Sequence, residues 1–163
     1  MEKEIPEYCQ KPVLILGCGN VMLGDEGFGP AVIKHLEKGH AVPKNVFVVN
    51  ARAQARPLLF NITLSPKKPE RIILIGAFAS GKTPGEIFEA DITGISHMIA
   101  DDYSLHQIPT QDILKDLRDN HKIEIIVLAC QVGKTTSEMT STLSAEVEAA
   151  IPHICEILLK KIS

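Results

Sequence analysis

The chain alternates between short apolar runs and amphipathic stretches. Residues 13–18 (VLILGC) form an unbroken apolar run, which reads as a strand buried on both faces, as in a parallel sheet. After a loop over 19–26, Phe28, Val32 and Leu36 recur at helical spacing with Lys34, Glu37 and Lys38 between them, and Gly39 is a natural stop. Residues 46–50 (VFVVN) predict a second strand, and 52–64 is apolar enough for a helix with Pro57 confined to its first turn. Residues 65–70 read as a lysine- and proline-rich surface turn. A third strand is predicted over 71–77 (RIILIGA), followed by a loop over 78–84 punctuated by glycine and proline. Residues 85–92 (GEIFEADI) alternate apolar and polar, as in a strand with one exposed face. Residues 95–106 are irregular and polar. Pro109 opens a helix whose apolar face is Ile113, Leu114 and Leu117. Residues 123–130 (IEIIVLAC) predict another buried strand, and 131–142 a long polar loop. Ser144 is placed to cap a last helix running through Ile162, with Glu146 in its first turn and Pro152 predicting a kink.

This order of strands and helices predicts an α/β fold, a three-layer αβα sandwich around a doubly wound, mostly parallel five-stranded sheet. No internal repeat or linker interrupts it, so a single domain over 1–163 is expected, with 1–11 as a flexible lead. Ligands of such folds bind beyond the carboxyl ends of the strands, at the point where the strand order reverses. The sequence offers four such ends, at 17–26, 50–52, 76–81 and 130–133.

Composition narrows the possibilities. A chain of 163 residues, 45% hydrophobic and 23% charged, is ordinary for one globular domain and buries about two thirds of its unfolded surface. Aromatic residues make up only 4%, with no Trp, which disfavours a stacking platform for single-stranded nucleic acid. The net charge of −3 argues against phosphate neutralisation, and no nucleic-acid partner is expected. No run reaches the ~20 apolar residues of a membrane span. Glu2, Glu4 and Glu7 precede any apolar run, so no targeting segment is expected. The chain is expected to be cytoplasmic from its cysteine usage and a monomer by default, since the sequence does not report oligomeric state. Its four cysteines, Cys9, Cys18, Cys130 and Cys155, form no CxxC pair. They read as small hydrophobes in a reducing compartment.

The first loop, GCGNVMLGDEGFG, carries most of the chemical information. A dinucleotide fingerprint would need glycine at Met22 and an acid at Asn50, and no GxxxxGK[ST] phosphate loop occurs, so no nucleotide cofactor is expected. Asp25 and Glu26 stand at a helix entrance, where acids are stabilised by the macrodipole by ~0.3–1 kcal/mol. Asp25 alone can serve that end, which leaves Glu26 free to point into a cleft as a metal ligand. His35, His40, His97, His121 and His153 read as surface or packing residues. His106 differs, because it sits in DDYSLHQIP just before a helix start. An imidazole with a carboxylate suits nickel or zinc, though a protein metal site normally has three or more ligands.

The stretch GCGNVMLGDEGFGPAVIKHLE resembles the opening of the nickel–iron hydrogenase maturation peptidases, an apolar strand followed by GxGNxLxxDEGxG and a helix. SLHQIP resembles that family's S/T-x-HQ segment, and LSAEVEAAIPHICEIL fits its last helix. The likeness runs from about Val13 to the end and is strongest to the delta-type members associated with coenzyme F420-reducing hydrogenases of methanogenic archaea. It implies a doubly wound α/β endopeptidase. Such a protein removes a C-terminal tail from the precursor of a hydrogenase large subunit once nickel is in place. The nickel, carried by the substrate, is recognised through a Glu, an Asp and a His. By position, the Glu is Glu26 and the His is His106, while Gly19, Asn20 and Asp25 belong to the loop that shapes the site. The Asp has no counterpart, because Gly76 occupies its place. A second departure follows the second strand, where an Asp-x-Gly turn is replaced by Asn50-Ala51-Arg52.

Three functions are therefore expected to compete. One is an active maturation endopeptidase in which Glu26 and His106 are catalytic. The second is a non-cleaving member that binds the large subunit as an accessory or chaperone-like protein, on the strength of Gly76 and Asn50-Ala51-Arg52. The third is a small-ligand or nucleotide domain, in which Asp25 and Glu26 would repel an anion at the helix entrance. Asp101 and Asp102, just before His106, read as a solvated acidic turn rather than as substitutes for the missing aspartate. Cys18 ends a buried strand and is a poor candidate nucleophile.

Overall fold

A computed structural model describes residues 4–39, 42–97, 110–133 and 139–162. Strands β1 (Val13–Cys18), β2 (Val46–Arg52), β3 (Arg71–Phe78), β4 (Ile87–Ala90) and β5 (Glu124–Gln131) form one sheet in the order β2-β1-β3-β5-β4. All neighbours are parallel except β4, which runs antiparallel to β5 at the edge. Its short, half-exposed alternation is what the GEIFEADI pattern predicts. β1 and β3 lie side by side at the centre, and from them the chain winds outward in opposite directions. The switch point, where such folds bind ligands, is thus the crevice between the carboxyl ends of β1 and β3.

The helices are α1 (Phe28–Gly39), α2 (Ala55–Leu64), α3 (Thr110–Asp119) and α4 (Ala145–Ile162). Strand periodicity divides the core. From β3, Ile73, Ile75 and Ala77 face one cluster with Phe28, Ile33 and Leu158 of α1 and α4. Ile72, Leu74 and Phe78 face the other, with Leu59 of α2 and Leu114 of α3. Each of the fully buried Ile, Leu and Phe side chains among these contributes roughly 1.5–3 kcal/mol of transfer free energy. The two clusters on opposite faces make the expected three-layer sandwich. No described helix is long and apolar enough to cross a membrane.

Three local expectations are corrected. Residues 7–11 are not a loose lead: Glu7–Cys9 turns as a 3-10 helix beside β2, and Cys9 is fully buried within the core cluster on the α2–α3 face. β2 continues to Arg52 instead of stopping at Asn50, because a register shift between Gly17 and Cys18 lets β1 pair with Arg52. The Ser144 hydroxyl, expected to cap α4, donates instead to Asp25. Residues 92–97 form a further 3-10 turn. Asp101, Asp102, His106 and Pro109 lie outside the described residues.

Candidate functional site

The site is built where β1 leaves the sheet. Gly29, in the first turn of α1, lies so close to the sheet that a methyl group there would meet the Cys18 carbonyl oxygen, and would stand 2.5 Å from that of Ile75. Glycine is thus what brings the entrance of α1 against the ends of both central strands. Gly19 adopts φ 141°, where its N–H donates to the Arg52 carbonyl at 2.9 Å. A side chain there would run into the Glu26 carbonyl. The loop's glycines therefore answer to close packing and left-handed backbone.

Asn20 starts the loop as an Asx turn, its Oδ1 accepting the Met22 N–H at 2.9 Å. Gly24–Gly27 then makes a 3-10 turn leading directly into α1. Asp25 is buried within it, and its role differs from the dipole reading. Its Oδ2 accepts the Gly133 N–H at 2.9 Å and the Ser144 hydroxyl at 2.9 Å, while Oδ1 accepts the Ser144 N–H at 2.7 Å. The carboxylate thereby ties the first loop to the end of β5 and the entrance of α4. Ser144 and Gly133 are shaping residues that local sequence reasoning misses, since neither falls in a motif with Asp25.

Glu26 follows, half-buried, and has no ion-pair or hydrogen-bonding side-chain partner among the described residues. Burial pushes its carboxyl above the ordinary carboxylate range. Gly76 is buried one residue past Ile75, the last β3 residue paired with β1. It is therefore at the same end of the sheet as the Glu26 turn, which packs against β3. The structure thus brings Gly19, Asn20, Asp25, Glu26 and Gly76 to the switch point. His106 lies outside the described residues, and among these no group of three or more His, Cys, Asp and Glu could hold a metal ion. None of the four cysteines is in a disulfide, and all are buried. Burial, with the Asp25 charge, pushes the Cys130 thiol up to about 12, and burial takes Cys155 to about 11.

Beyond β3, Gln131 organises the loop that flanks the crevice. Its Oε1 accepts the N–H groups of Ser80 and Lys82 at 2.9 and 3.2 Å. On the α1–α4 side a cavity of about 600 Å³ opens, with Asn50 and Arg52 on one wall and residues 141–143 on another. Glu26 is not in its lining, though the adjacent Gly27 is. Thr140 holds the 139–143 segment to the first loop as a parallel bridge to Leu23, through Thr140 N–H to Met22 C=O and Gly24 N–H to Thr140 C=O, both 2.8 Å. That segment was expected only as part of a polar loop; the β-prone run TSTL within it is the signal for the bridge.

A half-buried carboxylate stands at the switch point of a doubly wound sheet, the place where α/β folds of this class meet their ligands. The chain belongs to the hydrogenase maturation protease family, whose model matches residues 30–161. It is 36% identical over 155 residues to MJ0253 of Methanocaldococcus jannaschii, assigned as a hydrogenase maturation protease, covering 94% of this chain and 97% of that protein. It is 28% identical to the coenzyme F420 hydrogenase subunit delta of Methanothermobacter thermautotrophicus over 92% of this chain and 94% of the relative. The fold is shared with the hydrogenase-maturating endopeptidase HybD of Escherichia coli, at a TM-score of 0.72 and 22% identity over 91% of this chain and 90% of that one.

Proposed function

We propose that this chain removes the C-terminal tail from the precursor of a nickel–iron hydrogenase large subunit, with Glu26 and His106 recognising nickel already bound in the precursor. The observation that carries this reading is Glu26. In a chain of this family, a carboxylate stands at the switch point without a described partner, and burial disfavours its charge. A divalent cation brought by the substrate supplies what burial removes, since an opposite charge at contact favours the ionised form. The substrate's nickel polarises the scissile carbonyl or a water. Water adds to the carbonyl carbon, the C–N bond breaks, the leaving amine takes a proton, and the tail departs. The name of the delta-subunit relative supports a coenzyme F420-reducing hydrogenase as the system served. On this reading the chain works in the cytoplasm as a monomer, with no nucleotide cofactor.

Gly76 favours a second reading. Where the resemblance implies an aspartate, the end of β3 has no side chain, so the precursor's nickel would meet a carboxylate and an imidazole only. A non-cleaving accessory protein that holds the large subunit fits that loss. One experiment separates the two. The purified protein is mixed with nickel-loaded precursor from the same cell, and the intact mass of the precursor is followed. Loss of a C-terminal fragment that stops in Glu26→Gln and His106→Ala establishes the peptidase. A stable complex without mass change establishes the accessory protein.

A further inference from the structure

We infer that Arg52 is a specificity residue that takes a carboxylate of the precursor's tail in the cavity between α1, α4 and the end of β2. The inference rests on the proposed function and adds the chemistry of what is recognised. Arg52 has φ 50°, a left-handed backbone that glycine adopts freely and a long side chain does not. Two features impose it. The register shift after Gly17 sets Arg52 opposite Cys18, and the Arg52 carbonyl accepts the Gly19 N–H at 2.9 Å. Strain of this kind persists where surrounding structure over-determines it, and it gathers at functional sites. Glycine would satisfy this backbone without strain, so the arginine is there for its side chain.

That side chain is exposed and lines the cavity, and it has no hydrogen bond or ion pair among the described residues. Lys34 and Glu37 of α1 and Glu148 of α4 line the same cavity. Neither carboxylate pairs with Arg52. A guanidinium kept apart from two nearby acids is available for a third, and its planar fork suits a bidentate carboxylate. Another wall is formed by residues 141–143, held in place where Thr140 bridges to Leu23 and the Thr140 hydroxyl accepts the Thr142 N–H at 3.2 Å.

The carboxylate could be the tail's chain terminus or an Asp or Glu side chain within it, and the test distinguishes them. Binding and processing of nickel-loaded precursor are measured for the wild type, Arg52→Gly and Arg52→Lys. Each is assayed on precursor with native tail, with tail Asp and Glu changed to Asn and Gln, and with the terminal carboxyl amidated. Arg52→Gly also removes the backbone strain, so it folds at least as well as the wild type. It is expected to weaken precursor binding about tenfold to a hundredfold with the maximal rate unchanged, as for the loss of a charged hydrogen bond. Arg52→Lys recovers part of the loss. Neutralising the one carboxylate that is read costs the wild type the same factor and costs Arg52→Gly nothing further. If Arg52→Gly handles precursor as the wild type does, the inference is overturned and the proposed function stands. If both tail changes weaken wild type and Arg52→Gly equally, the inference is overturned likewise. If the wild type neither binds nor shortens precursor, both fall together.

Discussion

Asp25 and Ser144 stand 119 residues apart in sequence and are joined twice, through the Ser144 N–H to Oδ1 at 2.7 Å and its hydroxyl to Oδ2 at 2.9 Å. With the Gly133 N–H at 2.9 Å, the buried carboxylate holds three donors from two distant segments. The loop that presents Glu26 is thereby fixed to the ends of β5 and α4 rather than left to its own turn propensity.

Asp25→Ala removes the acceptor and strands the N–H groups of Gly133 and Ser144. Hydrogen bonds to a charged acceptor are worth roughly 1.5–3 kcal/mol, and orphaned donors add to the loss. Urea unfolding at neutral pH should show a loss of about 3 kcal/mol. A loss under about 1 kcal/mol would show that the tether contributes no more than an ordinary surface hydrogen bond.

Such a tether explains how far the sequence could be read. The fold was legible because its signals are local: VLILGC gives β1 at its observed bounds and the Phe28, Val32, Leu36 stripe gives α1. Glu26 was legible as the acid left over once Asp25 serves the helix entrance, and no described side chain pairs with it. The duty of Asp25 was not, because an acid at a helix start has a sufficient local reason to be there. The extension of β2 to Arg52 depends on a register shift in a neighbouring strand, which no pattern within residues 46–52 reports. Ser144 looked like a helix cap for the same reason that it binds Asp25: its hydroxyl sits at the start of α4.

Two glycines in α1 should respond oppositely to the same change. Gly29→Ala drives a methyl group into the carbonyls of Cys18 and Ile75, both backbone and unable to yield cheaply. Overpacking of this kind costs about 3 kcal/mol, and here it also pushes the Glu26 turn off the sheet. Gly39→Ala, with nothing within 4 Å of the new methyl group, should leave stability unchanged or raise it by about 0.4–1 kcal/mol through the unfolded chain. Thermal unfolding of the two variants side by side tests both.

Glu26 predicts a pH dependence of definite sign. Burial raises its carboxyl above the ordinary value of 4.5, so between that value and the raised one the folded protein binds more protons than the unfolded chain. Stability from this group is present below the ordinary value and is lost as pH rises through the folded value. Glu26→Gln removes the penalty. The variant should match the wild type below pH 4 and exceed it at pH 7, while losing precursor processing. Equal stability at both pH values would mean that burial does not perturb this carboxyl.

Gly76→Asp tests whether the missing side chain limits the site. Gly76 is buried, so the new carboxylate is held away from water. Without a partner it should lower stability by a few kcal/mol at pH 7 and by less at low pH, where it takes a proton. Nickel-loaded precursor should reverse that, because a third anionic contact to the metal worth about 1.4 kcal/mol tightens capture tenfold. Precursor stripped of nickel should show no gain, since the added charge then has nothing to meet. A variant that loses stability but gains nothing with nickel-loaded precursor would show that position 76 does not face the metal, and the second reading of the chain would lose the support of Gly76.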